Sequence, residues 1–137
     1  MKKKVFAVVA ALIIAIPLFT FTAFGVSPRW TLFRSATALC IESDNTYYAD
    51  VSASSDVTRI DLYLVLYEKG LFSSYSEVSS LSRTVYSNAT TVYNNYNYSS
   101  LKSYKVVLTA TARTASGQTE TITVSEEYWC SPYSNLN

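Results

Sequence analysis

An all-β sandwich is the fold class that the sequence predicts, and three observations carry the prediction. Residues Thr58 to Gly70 alternate without a break: Ile60, Leu62, Leu64 and Leu66 fall on one side, and Asp61, Tyr63, Val65 and Tyr67 on the other. Successive side chains of a strand point to opposite faces, so this reads as the central strand, with one aliphatic face in a core and one mixed, tyrosine-rich face. Lys102 to Thr114 repeats the pattern, setting Tyr104, Val106, Leu108, Ala110 and Ala112 against Lys105, Val107, Thr109, Thr111 and Arg113. After Val26 no stretch keeps a helical period, while twelve tyrosines, abundant Ser and Thr and only three glycines suit half-buried pleated strands.

The remaining elements follow in order. Ser27-Pro28-Arg29 is an extended lead, and Trp30 to Glu42 reads as one long or broken edge strand, closed by the turn cluster Glu42-Ser43-Asp44-Asn45. Thr46 to Ser54 alternates Tyr47, Ala49, Val51 and Ala53 against Tyr48, Asp50, Ser52 and Ser54, a second strand whose small inward residues leave room for a neighbour's bulk. Beyond the central strand, Tyr75 to Ser87 has only Val78, Leu81, Val85 and Tyr86 as apolar anchors among serines, which predicts an edge strand with a bulge. Asn88 to Asn94 is a short strand leading into the polar loop Asn95 to Ser100. Thr119 to Trp129 pairs back across the turn Ala115-Ser116-Gly117-Gln118, with Ile122 and Val124 beside Glu120 and Glu126 on one face and a ladder of Thr119, Thr121, Thr123 and Ser125 on the other.

About seven short strands over residues 26–130, without internal repeats or a linker, predict an immunoglobulin-like or fibronectin III-like sandwich. The strands carrying Leu64 and Leu108 are expected to pair or to face each other. Tyr104, ahead of Val106 and Leu108, stands where such folds anchor a tyrosine hydroxyl on nearby backbone.

The N-terminus is a separate matter. Lys2, Lys3 and Lys4 precede an apolar run from Val5 to Phe24, and Ala23-Phe24-Gly25 offers small residues for a cleavage site after Gly25. That layout predicts a secretory signal peptide over residues 1–25. An uncleaved anchor on the outer face of the cell membrane is the alternative, because about 20 apolar residues also span a bilayer. Either way the domain is exported. Without those lysines, eight of the eleven basic residues face ten acids, and a faintly acidic domain has no footprint for nucleic acid, which is held by clustered Lys and Arg.

Export makes the two cysteines candidates for one disulfide, Cys40 to Cys130. In an immunoglobulin-like sandwich part of the first strand runs parallel to the last, which brings both cysteines to one end. Closing a loop of about 90 residues would stabilise the fold by about 4 kcal/mol in the chain-entropy account.

Chemistry is sparse. The absence of histidine removes every imidazole mechanism, and two cysteines without histidine make a poor metal site, so no cofactor is expected. Carboxylate pairs for hydrolysis are Asp50 with Asp56, Asp61 with Glu68, and Glu120 with Glu126 or Glu127, each of which also reads as an ordinary solvated strand or turn residue. No catalytic residue is assigned. The distinctive composition is tyrosine with asparagine and serine from Tyr93 to Ser100. Tyr63, Tyr67, Tyr93, Tyr96 and Tyr98 are therefore the candidate binding surface, since rigid aromatic area beside adaptable amides and hydroxyls is what binding loops use. Sequons stand at Asn88-Ala89-Thr90 and Asn97-Tyr98-Ser99 and matter only in a host that glycosylates them. The tail Ser131 to Asn137 has no second apolar segment.

The chain resembles a family of small secreted domains of Gram-positive bacteria that has no assigned function. The similarity runs through Pro28-Arg29-Trp30, Val57 to Leu62, Tyr104-Lys105-Val106, Thr109 to Ala112 and Gly117 to Thr121. It departs at the irregular edge strand, where the family often shows a tryptophan and this chain has Tyr75, Val78 and Leu81. The resemblance implies a fold and a location and supplies no catalytic residues. The expected function is a secreted, non-enzymatic binding or surface-interaction module for an unknown protein or glycan. The alternatives are a carbohydrate-binding module and, behind it, a carboxylate-dependent secreted hydrolase.

Overall fold

Period-two burial becomes seven strands in the computed structural model, which describes residues 29–130. They are β1 (Phe33–Ile41), β2 (Thr46–Ala53), β3 (Val57–Lys69), β4 (Ser76–Val85), β5 (Ala89–Asn95), β6 (Ser103–Thr114) and β7 (Thr119–Trp129). The expected signal or anchor segment and the tail, residues 131–137, lie outside the described residues. The chain divides between Trp30 and Thr31, and the sandwich is the unit that begins at Thr31.

Two antiparallel sheets form, ordered β1-β2-β5 and β4-β3-β6-β7. Because β4 pairs with β3 rather than with the first sheet, the arrangement is the fibronectin III-like one of the two expected; in a constant immunoglobulin domain the fourth strand stays with the first, second and fifth. The two clearest strands of the sequence are direct partners, with Leu64 opposite Leu108, Leu62 opposite Ala110 and Leu66 opposite Val106. Ile60, Leu62, Leu64 and Leu66 are all buried, and Tyr47, Ala49, Val51 and Ala53 of β2 close over them from the other sheet. Each fully buried leucine contributes about 1.5–3 kcal/mol, so this face sets the register of everything beside it.

The edge strand carries its expected bulge. Leu66 lies opposite Ser79 and Tyr67 opposite Glu77, which leaves Val78 as the extra residue. In the β6–β7 hairpin Gly117 sits at φ +96°, a conformation that needs no Cβ, and its N–H donates to the Thr114 carbonyl at 3.1 Å.

β1 and β7 belong to different sheets yet run side by side in the same direction, joined by a carboxylate at each end. Where both begin, Glu120 accepts hydrogen bonds from the Thr31, Leu32 and Phe33 amides at 2.8, 2.8 and 3.0 Å and from the Thr31 hydroxyl at 2.8 Å. Where both end, Glu42 accepts from the Tyr128 hydroxyl and, at 3.1 Å, from the Cys130 thiol. Successive amides at the start of a strand need acceptors, and Glu120 supplies one for all three. Burial alone would raise its pKa, but the donors from Thr31, Leu32 and Phe33 outweigh burial and hold the carboxyl below its ordinary value.

Glu120→Gln offers only one acceptor oxygen to that set of donors and is expected to cost about 2 kcal/mol. A depressed carboxylate stabilises the fold above its unfolded pKa near 4.5, and this contribution is lost as pH falls through the folded value. Urea unfolding of wild type and variant from neutral pH downward should show the gap closing in acid; a constant gap would contradict the clamp.

Candidate functional site

The five candidate tyrosines do not share one surface. Alternation along β3 sends Tyr63 and Tyr67 to the outer face of the four-stranded sheet, while Tyr93, two-thirds exposed, stands on the outer face of the other sheet beside Tyr48. Tyr96 and Tyr98, expected on an exposed loop, turn inward at the end of the sandwich where β3 finishes and β6 begins.

There they join Tyr104 and Tyr128 in an edge-to-face cluster. Tyr98 lies 5.5 Å from Tyr96, 4.8 Å from Tyr104 and 6.2 Å from Tyr128 between ring centroids, and Tyr96 lies 5.8 Å from Tyr104. Such pairs add about 0.5–1.5 kcal/mol each beyond area burial. Every hydroxyl is held. Tyr96 donates to Glu68 at 2.8 Å and Tyr98 to the Thr46 carbonyl at 2.6 Å; the Tyr104 oxygen accepts from the Ser99 amide at 2.7 Å. The last contact is the backbone anchor expected of Tyr104. Glu68 also receives Lys102 Nζ at 2.7 Å, and although burial alone would raise its pKa, the donors Lys102, Tyr96 and Tyr104 hold it lowered. The phenols shift the other way. Burial first and then the Glu68 carboxylate push Tyr104 to about 12, and the hydrogen bond to Glu42 pushes Tyr128 to about 12. These tyrosines are spent on structure.

Both cysteines are thiols here, so the expected Cys40–Cys130 bond is not formed in this structure. They nevertheless border the same groups: Cys130 donates to Glu42, two residues past Cys40, and Tyr128 feels both sulfurs. Burial raises the Cys40 thiol, with the neighbouring Tyr98 hydroxyl acting the other way.

The candidate carboxylates are scattered. Asp61 points outward and accepts from Thr84 at 2.7 Å, Arg59 at 3.0 Å and Arg113 at 3.3 Å, while Glu68 on the same strand points inward. The Thr84 bond, assisted by the two arginines against burial, lowers Asp61. Asp50 accepts from Thr91 at 2.8 Å, Asp56 is exposed in a turn, and Glu126 and Glu127 fall on opposite faces of β7. Among the described residues, no three His, Cys, Asp or Glu side chains gather as a metal site.

What remains outward on the four-stranded sheet is ordered in rows. Ser82, Tyr63, Thr109 and Thr123 lie abreast, followed by Ser80, Val65, Val107 and Ser125 and then by Glu77, Tyr67, Lys105 and Glu127. Tyr63 is 45% exposed, whereas Val65, flanked by Tyr63 and Tyr67 and by two neighbouring strands, is only 4% exposed. Lys69 and Lys105 stand 4.8 and 4.6 Å from the Tyr75 ring centroid, and Lys105 is 5.4 Å from that of Tyr67. Lys105 was readable from alternation as an outward residue of β6; the approach of Tyr75 was not, because it comes from the loop after β3. No protein-family model, curated protein or solved structure matches the chain.

Tyr104→Phe removes the acceptor of the Ser99 amide and is expected to cost about 1–3 kcal/mol in urea unfolding at neutral pH. Tyrosines with raised pKa stabilise the fold fully below their unfolded value near 10, and this is lost as pH climbs toward about 12. Stability should therefore fall above pH 10 in step with tyrosinate absorbance; a flat profile there would refute the account of the cluster.

Proposed function

We propose that this protein is an exported, non-enzymatic binding module that meets its partner with the outer face of the β4-β3-β6-β7 sheet. The observation that carries the reading is Tyr63, which belongs to the central strand and remains 45% exposed within a row of hydroxyls. Tyr67 and Tyr75 extend the aromatic area beside it, with Lys69 and Lys105 against their rings. Rigid rings among small hydroxyls bind at low entropic cost. The carboxylates support the same side of the argument. Asp61 and Glu68 face opposite ways, and both are held ionised, whereas acid–base hydrolysis needs one of a facing pair kept protonated.

A glycan is the second reading, favoured by the serine and threonine rows that flank the rings and match the hydroxyl groups of a sugar chain. Screening against glycan arrays and candidate surface proteins should find a ligand whose affinity drops at least about tenfold, about 1.4 kcal/mol, in both Tyr63→Ala and Tyr67→Ala with the unfolding midpoint preserved. Tyr93→Ala should bind normally. Unimpaired binding by the first two variants would remove the outer face from consideration.

Export follows from Lys2 to Lys4 and the apolar run, with an uncleaved anchor as the alternative. On the oxidising side of the membrane we expect a disulfide-bearing oxidant to take two electrons from Cys40 and Cys130, whose protons leave as their sulfurs join and Cys130 gives up Glu42. Mass spectrometry of exported protein should show the loss of two hydrogens, abolished in Cys40→Ser. Two free thiols on exported protein would exclude the bond.

A further inference from the structure

A sheet ends in strands whose outer N–H and C=O groups have no neighbour to bond, and folds blunt such edges with bulges, prolines, lysines or covering chain. Here the edge strands are β1 and β5 of one sheet and β4 and β7 of the other. β1 and β7 lie against each other, tied by Glu120 and Glu42 at their two ends. That leaves β4 and β5 open, and they are not equivalent.

Bond directions follow from the alternation of an antiparallel ladder. Ala53 donates to the Asn88 carbonyl at 2.7 Å and Tyr96 to that of Asn45 at 2.8 Å, one bond at each end of the β2–β5 pairing. Even-numbered residues of β5 therefore bond β2, and the backbone groups of Ala89, Thr91, Tyr93 and Asn95 face the open edge. Two of those amides are already capped, Ala89 by Ser87 Oγ at 3.3 Å and Asn95 by Asn94 Oδ1 at 3.0 Å. In the other sheet Thr114 donates to the Gln118 carbonyl and Cys130 to that of Lys102, each at 3.0 Å, so even-numbered residues of β6 bond β7 and odd-numbered ones bond β3. It follows that Ile60, Leu62, Leu64 and Leu66 of β3 bond Val85, Arg83, Leu81 and Ser79 of β4. Ser80, Ser82 and Thr84 then aim their backbone groups at the open edge, and among the described residues no acceptor meets their amides.

The bulge at Val78 protects only the start of β4. From Ser79 to Val85 the strand has no proline or lysine and a single charge, Arg83. We infer that this edge pairs antiparallel with the same edge of a second copy, about a two-fold axis at Ser82. This register uses all three open residues: Ser82 bonds Ser82, and each Ser80 bonds the other copy's Thr84, so three pairs exchange two bonds each. An axis at Leu81 sets Thr84 against the bulge, and an axis at Arg83 sets the two arginines against each other. With the axis at Ser82, Arg83 lies beside Leu81 of the second copy, and half-buried Val85 lies beside Ser79. Tyr86 and Val78, which are 80% and 36% exposed in the single copy, fall opposite each other. The edge is thus complementary to itself, which selects a second copy over a foreign strand. Ser82 lies abreast of Tyr63, so the row Thr123, Thr109, Tyr63, Ser82 continues into the same row reversed, with the two β3 strands about 14 Å apart. The pairing itself stands on the β4 edge, whichever surface takes a ligand.

The test is sedimentation velocity of the exported protein from low micromolar to submillimolar concentration, with amide exchange followed residue by residue by NMR. A reversible dimer is expected, and exchange at Ser80, Ser82 and Thr84 should slow several-fold as it forms while Thr91 and Tyr93 stay unchanged. Ser82→Pro is expected to preserve the fold, because that N–H bonds nothing in the single copy, and to raise the dimer dissociation constant at least about tenfold. Ser82→Lys, which sets two cations on the axis, should do the same, whereas Thr91→Pro on β5 should leave the dimer intact. A monomer throughout, a dimer indifferent to both Ser82 variants, or protection at Thr91 and Tyr93 instead would overturn the inference.

Discussion

The two-faced character of β3 is the constraint on which the rest depends. Its even-numbered residues Ile60, Leu62, Leu64 and Leu66 are buried between the sheets, so its odd-numbered residues must point away from the core. A shift of one residue would exchange those sets and place Asp61 and Tyr63 inside, where an unpaired carboxylate is prohibitive. The register of β3 therefore fixes that of β6 through Leu64 and Leu108, and that of β4 through Leu64 and Leu81. The bulge at Val78 changes that register only after the inward leucines have been satisfied.

Local periodicity made this part legible. Strand positions, the bulged edge, the β6–β7 turn and the anchoring role of Tyr104 all depend on residues near in sequence or on a fold-wide habit. The carboxylate bridges do not. Glu120 reaches amides 87 to 89 residues away, and nothing in Thr119-Glu120-Thr121 distinguishes an exposed glutamate from one accepting four hydrogen bonds. Tyr96 and Tyr98 misled for a related reason. Asparagine and serine around them signal a polar loop, but the rings answer to Glu68 and the Thr46 carbonyl, supplied by distant strands. Val65 was grouped with an open face by parity, and parity is right about direction; it says nothing of the burial imposed by two flanking tyrosines.

Tyrosine thus serves two purposes that composition cannot separate. At the end of the sandwich four phenols fill space between the sheets and use every hydroxyl on carboxylate or backbone partners. On the outer face, Tyr63 keeps part of its ring in solvent. Satisfied hydroxyls and interlocked rings make a poor ligand site, because binding there would first have to break what the fold uses. Exposed ring area is left instead on the outer faces of the two sheets, at Tyr63 and Tyr93.

The long axis adds a second asymmetry, at right angles to the inward–outward one. One end holds the Glu120 clamp, which braces β1 at its first residue. At the other end Glu42 holds the Tyr128 hydroxyl and the Cys130 thiol with a single carboxylate. The outer face of β3 runs between these ends, from Asp61 to Tyr67. The row in which Tyr63 is exposed therefore stands apart from both the Glu120 and the Glu42 contacts.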